Sequence, residues 1–167
     1  LQKSQSPKSI LNEATNLAQN GVKEIIVIAQ DSTSYGWDLS PKSSLHNLFD
    51  SLDSIEGLEW LRLQYAHPAH LHREMIKRFK YLDKLIPYID MPVQHGSDKI
   101  LKLMRRGLKS DGIKRKIDEL RKANDKIAIR TTLIVGSPEE SDKEFNELYN
   151  FIKDIEFDRL GVFTYSE

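Results

Sequence analysis

The sequence predicts an α/β fold built on a parallel sheet. Three observations predict it. Short apolar, β-branched runs alternate with amphipathic helical stretches along the whole chain, and such alternation implies right-handed βαβ crossovers. The runs are near-continuously apolar, as in parallel strands covered on both faces. Each run also empties into a polar loop, where ligands of such folds gather. The clearest case is residues 85–98, LIPYIDMPVQHGSD, in which an apolar run ends in Gln94, His95, Ser97 and Asp98.

The elements follow in order. A helix is predicted over 7–19, with Ser6 as N-cap, Pro7 at the first helical position, and Asn20-Gly21 as its stop. A strand over 24–29 (EIIVIA) ends in the polar loop 30–36. A helix over 43–55 turns Leu45, Leu48, Phe49 and Leu52 inward. The strand over 58–64 ends in Tyr65, Ala66, His67 and Pro68, and the proline keeps His67 out of helical geometry. A short helix over 71–79 precedes the central strand. Helical patterns at 99–105 and 112–123 come next, then a strand over 127–135 that ends in Gly136-Ser137-Pro138. Ser141 and Glu144 match a capping box for a helix over 141–155. A last strand over 160–164 ends in Tyr165 and Ser166. Five strands fall short of a closed eight-stranded barrel.

With 167 residues the chain is read as a single domain, 1–167. Its 25 basic and 25 acidic residues balance, so no bulk field draws it to nucleic acid or membrane. No stretch approaches the roughly 20 apolar residues of a membrane span, and the first residues lack the apolar core of a signal peptide. A cytoplasmic location is expected. The chain has no cysteine and therefore no thiolate metal site. It lacks an initiator methionine and opens on a helix, so a fragment or processed product is expected, with the strand over 24–29 left as an open edge that invites self-association.

Polar residues gather after the strands: Gln30 and Asp31, Tyr65 and His67, Gln94, His95 and Ser97, Gly136 and Glu140, Tyr165 and Ser166. In a parallel barrel these loops share one rim, although polar residues follow strands in every α/β protein. Arg130 stands inside an apolar strand. Its fork suits a carboxylate bidentately, so it reads either as a clamp on an anionic ligand or as half of an internal ion pair, for instance with Asp90. His67 and His95 read as ligands or general bases, or as structural histidines. Gly136 allows close backbone approach to a ligand, or simply turns a strand into a helix. Residues 99–122 carry ten basic side chains, read as a solvated helix face in preference to an RNA contact.

Four stretches go beyond spacing: IAQDSTSYG (28–36), IPYIDMPVQHGSDKILKLMRR (86–106), RTTLIVGSPEES (130–141) and DRLGVFTYS (158–166). Together they resemble the radical S-adenosylmethionine methylthiotransferases, most closely the RimO branch, which methylthiolates an aspartate of ribosomal protein S12. The transfer-RNA branch, MiaB, shares PVQ-x-GSD and IVG-x-P. The Gln-Asp after the first strand, Arg130 and the ending resemble the ribosomal branch more. The resemblance implies a partial parallel (β/α)6 TIM-like barrel, the radical SAM core, here lacking its first strand and its Cys-x3-Cys-x2-Cys loop. That loop holds a 4Fe–4S cluster on which S-adenosyl-L-methionine is cleaved to a deoxyadenosyl radical. A second 4Fe–4S cluster sits in an N-terminal domain, and a C-terminal β-domain helps bind substrate. Neither domain is expected in this chain.

Matched residue by residue, Gln94, Ser97, Arg130, Ile134, Val135 and Gly136 fall on cofactor-lining positions. Arg130 would take the methionine carboxylate, and the backbone at 134–136 the adenine. Gln30, Asp31, His67, His95 and Tyr165 would face the rim. The family pattern Gly-Phe-Pro-Gly-Glu-Thr is altered here to Gly136-Ser137-Pro138-Glu139-Glu140-Ser141, which loses a phenylalanine and a glycine from the adenine side. The partner implied is ribosomal protein S12 in the 30S subunit, with transfer RNA as the alternative. The fragment alone is expected to be inactive. The other readings are a non-catalytic ribosome- or RNA-binding barrel, and an unrelated barrel enzyme using His67 or His95 as a base.

Overall fold

Serine hydroxyls begin three helices, two of them (Ser6 and Ser141) where the sequence places them. The computed structural model describes residues 3–166. Ser6 accepts from the Ser9 amide at 3.2 Å and starts α1 (Pro7–Gln19). Ser44 accepts from the Asn47 amide and starts α2 (Leu45–Asp53). Ser141 and Glu144 form the reciprocal capping box of α6 (Asp142–Ile155), which satisfies amides that the first helical turn leaves unpaired. Between these lie α3 (Arg73–Tyr81), α4 (Asp98–Leu103) and α5 (Ser110–Ala123).

The strands are β1 (Glu24–Val27), β2 (Trp60–Leu63), β3 (Leu85–Asp90), β4 (Ala128–Val135) and β5 (Arg159–Thr164). All pairings are parallel, and the strand order is the chain order, β1-β2-β3-β4-β5. The result is an open, partial TIM-like barrel. Each predicted element is present, with ends shifted by a few residues: β1 stops at Val27 and β2 begins at Trp60. The polar loop after β1 contains a 3-10 turn, Ser32–Ser34, that the pattern did not predict.

One expectation is corrected. The strands are not covered on both faces. Leu61, Leu63, Ile89, Ile129 and Leu133 are buried under the helices, against Phe49, Met75, Phe79, Ile117 and Phe151. The opposite face carries Ile26, Trp60, Arg62 and Arg130, and the first two are about half exposed. Arg62 pairs with Glu24 at 2.7 Å and lies 5.1 Å from the Tyr88 ring centre. One apolar face and one polar face give the alternating burial of β4. The runs look continuous in sequence because isoleucine, threonine and tryptophan stand on the uncovered side.

Candidate functional site

A cavity of about 340 Å3 opens on the helix-free face at the carboxyl ends of the strands. Gln30 follows β1, Tyr65, Ala66 and His67 follow β2, and Pro92 and Gln94 follow β3. Arg130 and Thr132 come from β4, Phe163 from β5, and Arg106 from the turn after α4. The volume falls in the ~300–1,000 Å3 range of small-molecule sites.

Backbone strain concentrates here. Among the described residues, four non-glycine residues have positive φ. Tyr65 (54°) and Gln94 (73°) line the cavity, and Arg105 (54°) directly precedes Arg106. Such conformations cost energy and cluster at functional sites. Gln94 is held by sheet-like bonds, its amide to the Thr132 carbonyl and its carbonyl to the Ile134 amide, both at 2.9 Å. Its Oε1 is buried without a partner among the described residues, as is Arg106 Nε. Buried polar atoms are nearly always paired, so two orphans in one cavity wall mark where a ligand's polar groups belong.

Two guanidiniums face the cavity. Arg130 Nη1 donates to Asp90 Oδ1 at 2.8 Å, yet 41% of its side chain stays exposed. Arg130 is thus half of the internal ion pair with Asp90, and it also lines the cavity. The Asp90 hydrogen bond and charge raise its pKa. Arg106 Nη2 donates to the Pro92 carbonyl at 2.6 Å, and burial lowers its pKa. Arg106 belongs to the basic run read as a solvated face, and there the structure differs. The left-handed Arg105 ends α4, and the Arg106 amide turns back to the Leu101 carbonyl at 2.9 Å. The sequence signal for this was its place just before Gly107, in a turn and off the helix face.

His67 is driven down to about 4 by burial, by the Arg106 charge and by His70, whose ring stacks on it at 4.5 Å between centres. Asp31 does not line the cavity. Its carboxylate accepts from the Thr33 amide and from the Ser34 and Thr33 hydroxyls, and pairs with His70 Nδ1 at 2.5 Å. Burial pushes its pKa up, but those hydrogen bonds outweigh it and hold the group below its usual value.

Of the eleven residues singled out, the cavity wall takes Gln30, His67, Gln94 and Arg130. Ser97 is buried as the N-cap of α4, and its hydroxyl donates to Glu147 Oε2 at 2.5 Å. His95 is fully buried: Nδ1 accepts from the Ser97 amide at 2.9 Å, and Nε2 lies 3.7 Å from Glu140 Oε1. The rim position expected for it is corrected to the interior. Burial lowers its pKa. Ile134, Val135 and Gly136 lie at the end of β4, outside the cavity wall. The Gly136 and Ser137 amides are taken by Glu140 Oε2 at 2.7 and 3.3 Å. Tyr165 is exposed beyond β5, with its amide on the Val135 carbonyl. The cavity residues that the pattern did not single out are Ala66, Pro92, Arg106, Thr132 and Phe163.

The walls suit S-adenosylmethionine. Its carboxylate would meet a guanidinium, its hydroxyls or amines the orphan Gln94 Oε1, and its rings Tyr65 and Phe163. They do not suit an iron–sulfur cluster, which is held by thiolates, because these 167 residues contain no cysteine.

A parallel, partial barrel with a polar cavity at its strand ends defines the class. Residues 1–152 match the Radical SAM superfamily, and the chain belongs to that superfamily. Within it, the chain is similar to proteins named ribosomal protein uS12 methylthiotransferase RimO. That of Clostridium kluyveri is 53% identical over 165 residues, covering 98% of this chain and 37% of the relative. That of Acetivibrio thermocellus is 48% identical over 164 residues, covering 98% and 36%. The chain thus spans little more than a third of the length of these curated relatives. Among solved structures, the radical SAM enzyme coproporphyrinogen III oxidase (HemN) of Escherichia coli superposes with a TM-score of 0.70 at 14% identity, over 96% of this chain and 37% of that one. Methanocaldococcus infernus Elp3 gives 0.54 at 16% identity, over 97% and 44%. At such identities the likeness concerns the fold alone.

Proposed function

We propose that the chain is the cofactor-binding part of a radical S-adenosylmethionine methylthiotransferase that modifies an aspartate of ribosomal protein S12. The observation that carries this reading is the 53% identity to a RimO protein across nearly the whole chain. The cavity supports it from the physical side. Arg106, desolvated and without an ion pair among the described residues, suits the cofactor's amino-acid carboxylate in preference to Arg130. Gln94 Oε1 accepts a hydroxyl or amine proton, and Tyr65 and Phe163 shield the bound group from water. Gly136 and Glu140 hold the turn beside it. When bound, S-adenosylmethionine supplies the radical chemistry for which the superfamily is named.

Further parts of the reading are a cytoplasmic location, two 4Fe–4S clusters held by cysteines outside these residues, and the 30S subunit as partner. In this view residues 1–167 form one domain, and the cluster domain and the β-domain belong to other parts of the protein.

The test uses the full-length gene product containing these residues, reconstituted anaerobically with iron and sulfide. S-adenosylmethionine and reductant are supplied with S12 in one reaction and transfer RNA in another. A methylthio mass gain on S12, with release of 5′-deoxyadenosine, is expected. A gain on RNA alone would move the protein to the transfer-RNA branch. Absence of deoxyadenosine in an iron-loaded sample would refute the reading.

A further inference from the structure

The two guanidiniums of the cavity stand in opposite electrostatic circumstances. Arg106 is desolvated and its Nε is buried without a partner; Nη2 donates to the Pro92 carbonyl, and the Asp31 charge attracts it without a direct ion pair among the described residues. A buried cation with no carboxylate in contact is costly, so its site suits a bound anion such as the cofactor's carboxylate. Arg130 is already neutralised by Asp90, which is almost wholly buried. Its guanidinium therefore carries no unmet charge when the cavity is empty. Its exposed edge is left for a second carboxylate, distinct from the one at Arg106.

The geometry around Arg130 leaves room for such a visitor. Nη1 is committed to Asp90. A guanidinium presents five donors in a rigid fork, so further N–H groups remain for a second carboxylate. On the β5 side stands Gly161, where even an added Cβ would lie 4.0 Å from Nη2. A larger side chain there would close the approach. Arg159, the register partner of Arg130 on β5, forms no ion pair among the described residues and adds positive charge beside it.

We propose that Arg130, pinned by Asp90, receives the side-chain carboxylate of the substrate aspartate and so selects an acidic residue as the target. This rests on the reading of the chain as a methylthiotransferase acting on a protein aspartate. It assigns Arg130 to the protein substrate and makes Asp90 its positioning residue. Charge-assisted, bidentate recognition of this kind rejects a neutral isostere, because the guanidinium edge is then poorly matched.

The experiment uses the reconstituted full-length protein with S12, and with S12 carrying asparagine at the target position. Two variants are compared with the unmutated enzyme: R130Q, and D90N/R130Q, which leaves no unpaired carboxylate buried. Both should lower kcat/KM on S12 by about 10-fold or more, the loss expected when a charge-assisted hydrogen bond to the substrate is removed. S12 modified per 5′-deoxyadenosine released should fall as well, because cofactor cleavage continues without a held target. Discrimination between the aspartate and asparagine substrates should collapse in the variants.

Equal modification by R130Q and the unmutated enzyme would overturn the proposal. So would a parallel loss of S-adenosylmethionine binding with the S12 modified per deoxyadenosine unaltered, since Arg130 would then serve the cofactor. Failure of the unmutated enzyme to modify S12 would overturn the functional reading and this assignment with it. The two failures are told apart by the unmutated enzyme's own product.

Discussion

At position 96 a methyl group would lie 2.6 Å from the Phe151 Cβ, so the loop after β3 rests directly on α6. Gly96→Ala should destabilise the fold by about 1–3 kcal/mol through overpacking, read from urea midpoints. At Gly136 the space is open but φ is +79°. There Gly136→Ala should cost roughly 1–2 kcal/mol through the backbone alone. His67 gives a pH signature. Its folded pKa is about 4 against an ordinary 6.5, so below pH 6.5 the unfolded chain takes a proton that the folded chain refuses. Stability should fall as pH drops from 6.5 towards 4, and His67→Asn should flatten that part of the slope in stepped-pH denaturation. Single residues were the least legible part of the sequence. Gln94 and Arg130 stood out as polar groups in or after apolar runs. Arg106 did not, because nine other basic residues surround it between 99 and 122 and only the left-handed turn at Arg105 sends it into the cavity. His95 and Ser97 read as rim residues, yet the tight contact of Gly96 with Phe151 carries both into the interior.

Elements were far more legible, since each is specified by local chemistry. The helix α6 shows why: its cap, its acidic first turn and its apolar stripe of Leu148, Phe151 and Ile155 agree. Ser141→Ala should destabilise the protein by about 1 kcal/mol through loss of the N-cap, visible as a lower midpoint in thermal or urea melts. The Ser141 hydroxyl and amide hold Glu144 down to about 2 against its usual 4.5. The stability it contributes is present above pH 4.5 and should drain away as pH falls towards 2, a window below that of His67. Strand ends were less legible, because sheet pairing, not local preference, sets where a strand stops. Ile28 has a strand-like, β-branched side chain, but the pairing of β1 with β2 runs only from Glu24 to Val27.

For the whole molecule, strand–helix alternation was enough to name a parallel sheet, while the coverage of its faces was not readable. Isoleucine and tryptophan look the same in sequence on a covered face and on an open one. The open sheet has two edges, β1 and β5, and Ile26, Ile28 and Trp60 are exposed on the helix-free side. Expressed as these 167 residues alone, the chain should associate as concentration rises, measured by sedimentation. A monomer across the range would count against it. The strand order has a consequence for biosynthesis. Because β1 to β5 lie side by side in the order in which they are translated, each strand after β1 leaves the ribosome to find its hydrogen-bonding template already made. After β1 has paired with β2, no strand waits for a partner encoded further downstream. The sheet can therefore grow from one side, unit by unit, at the pace of synthesis.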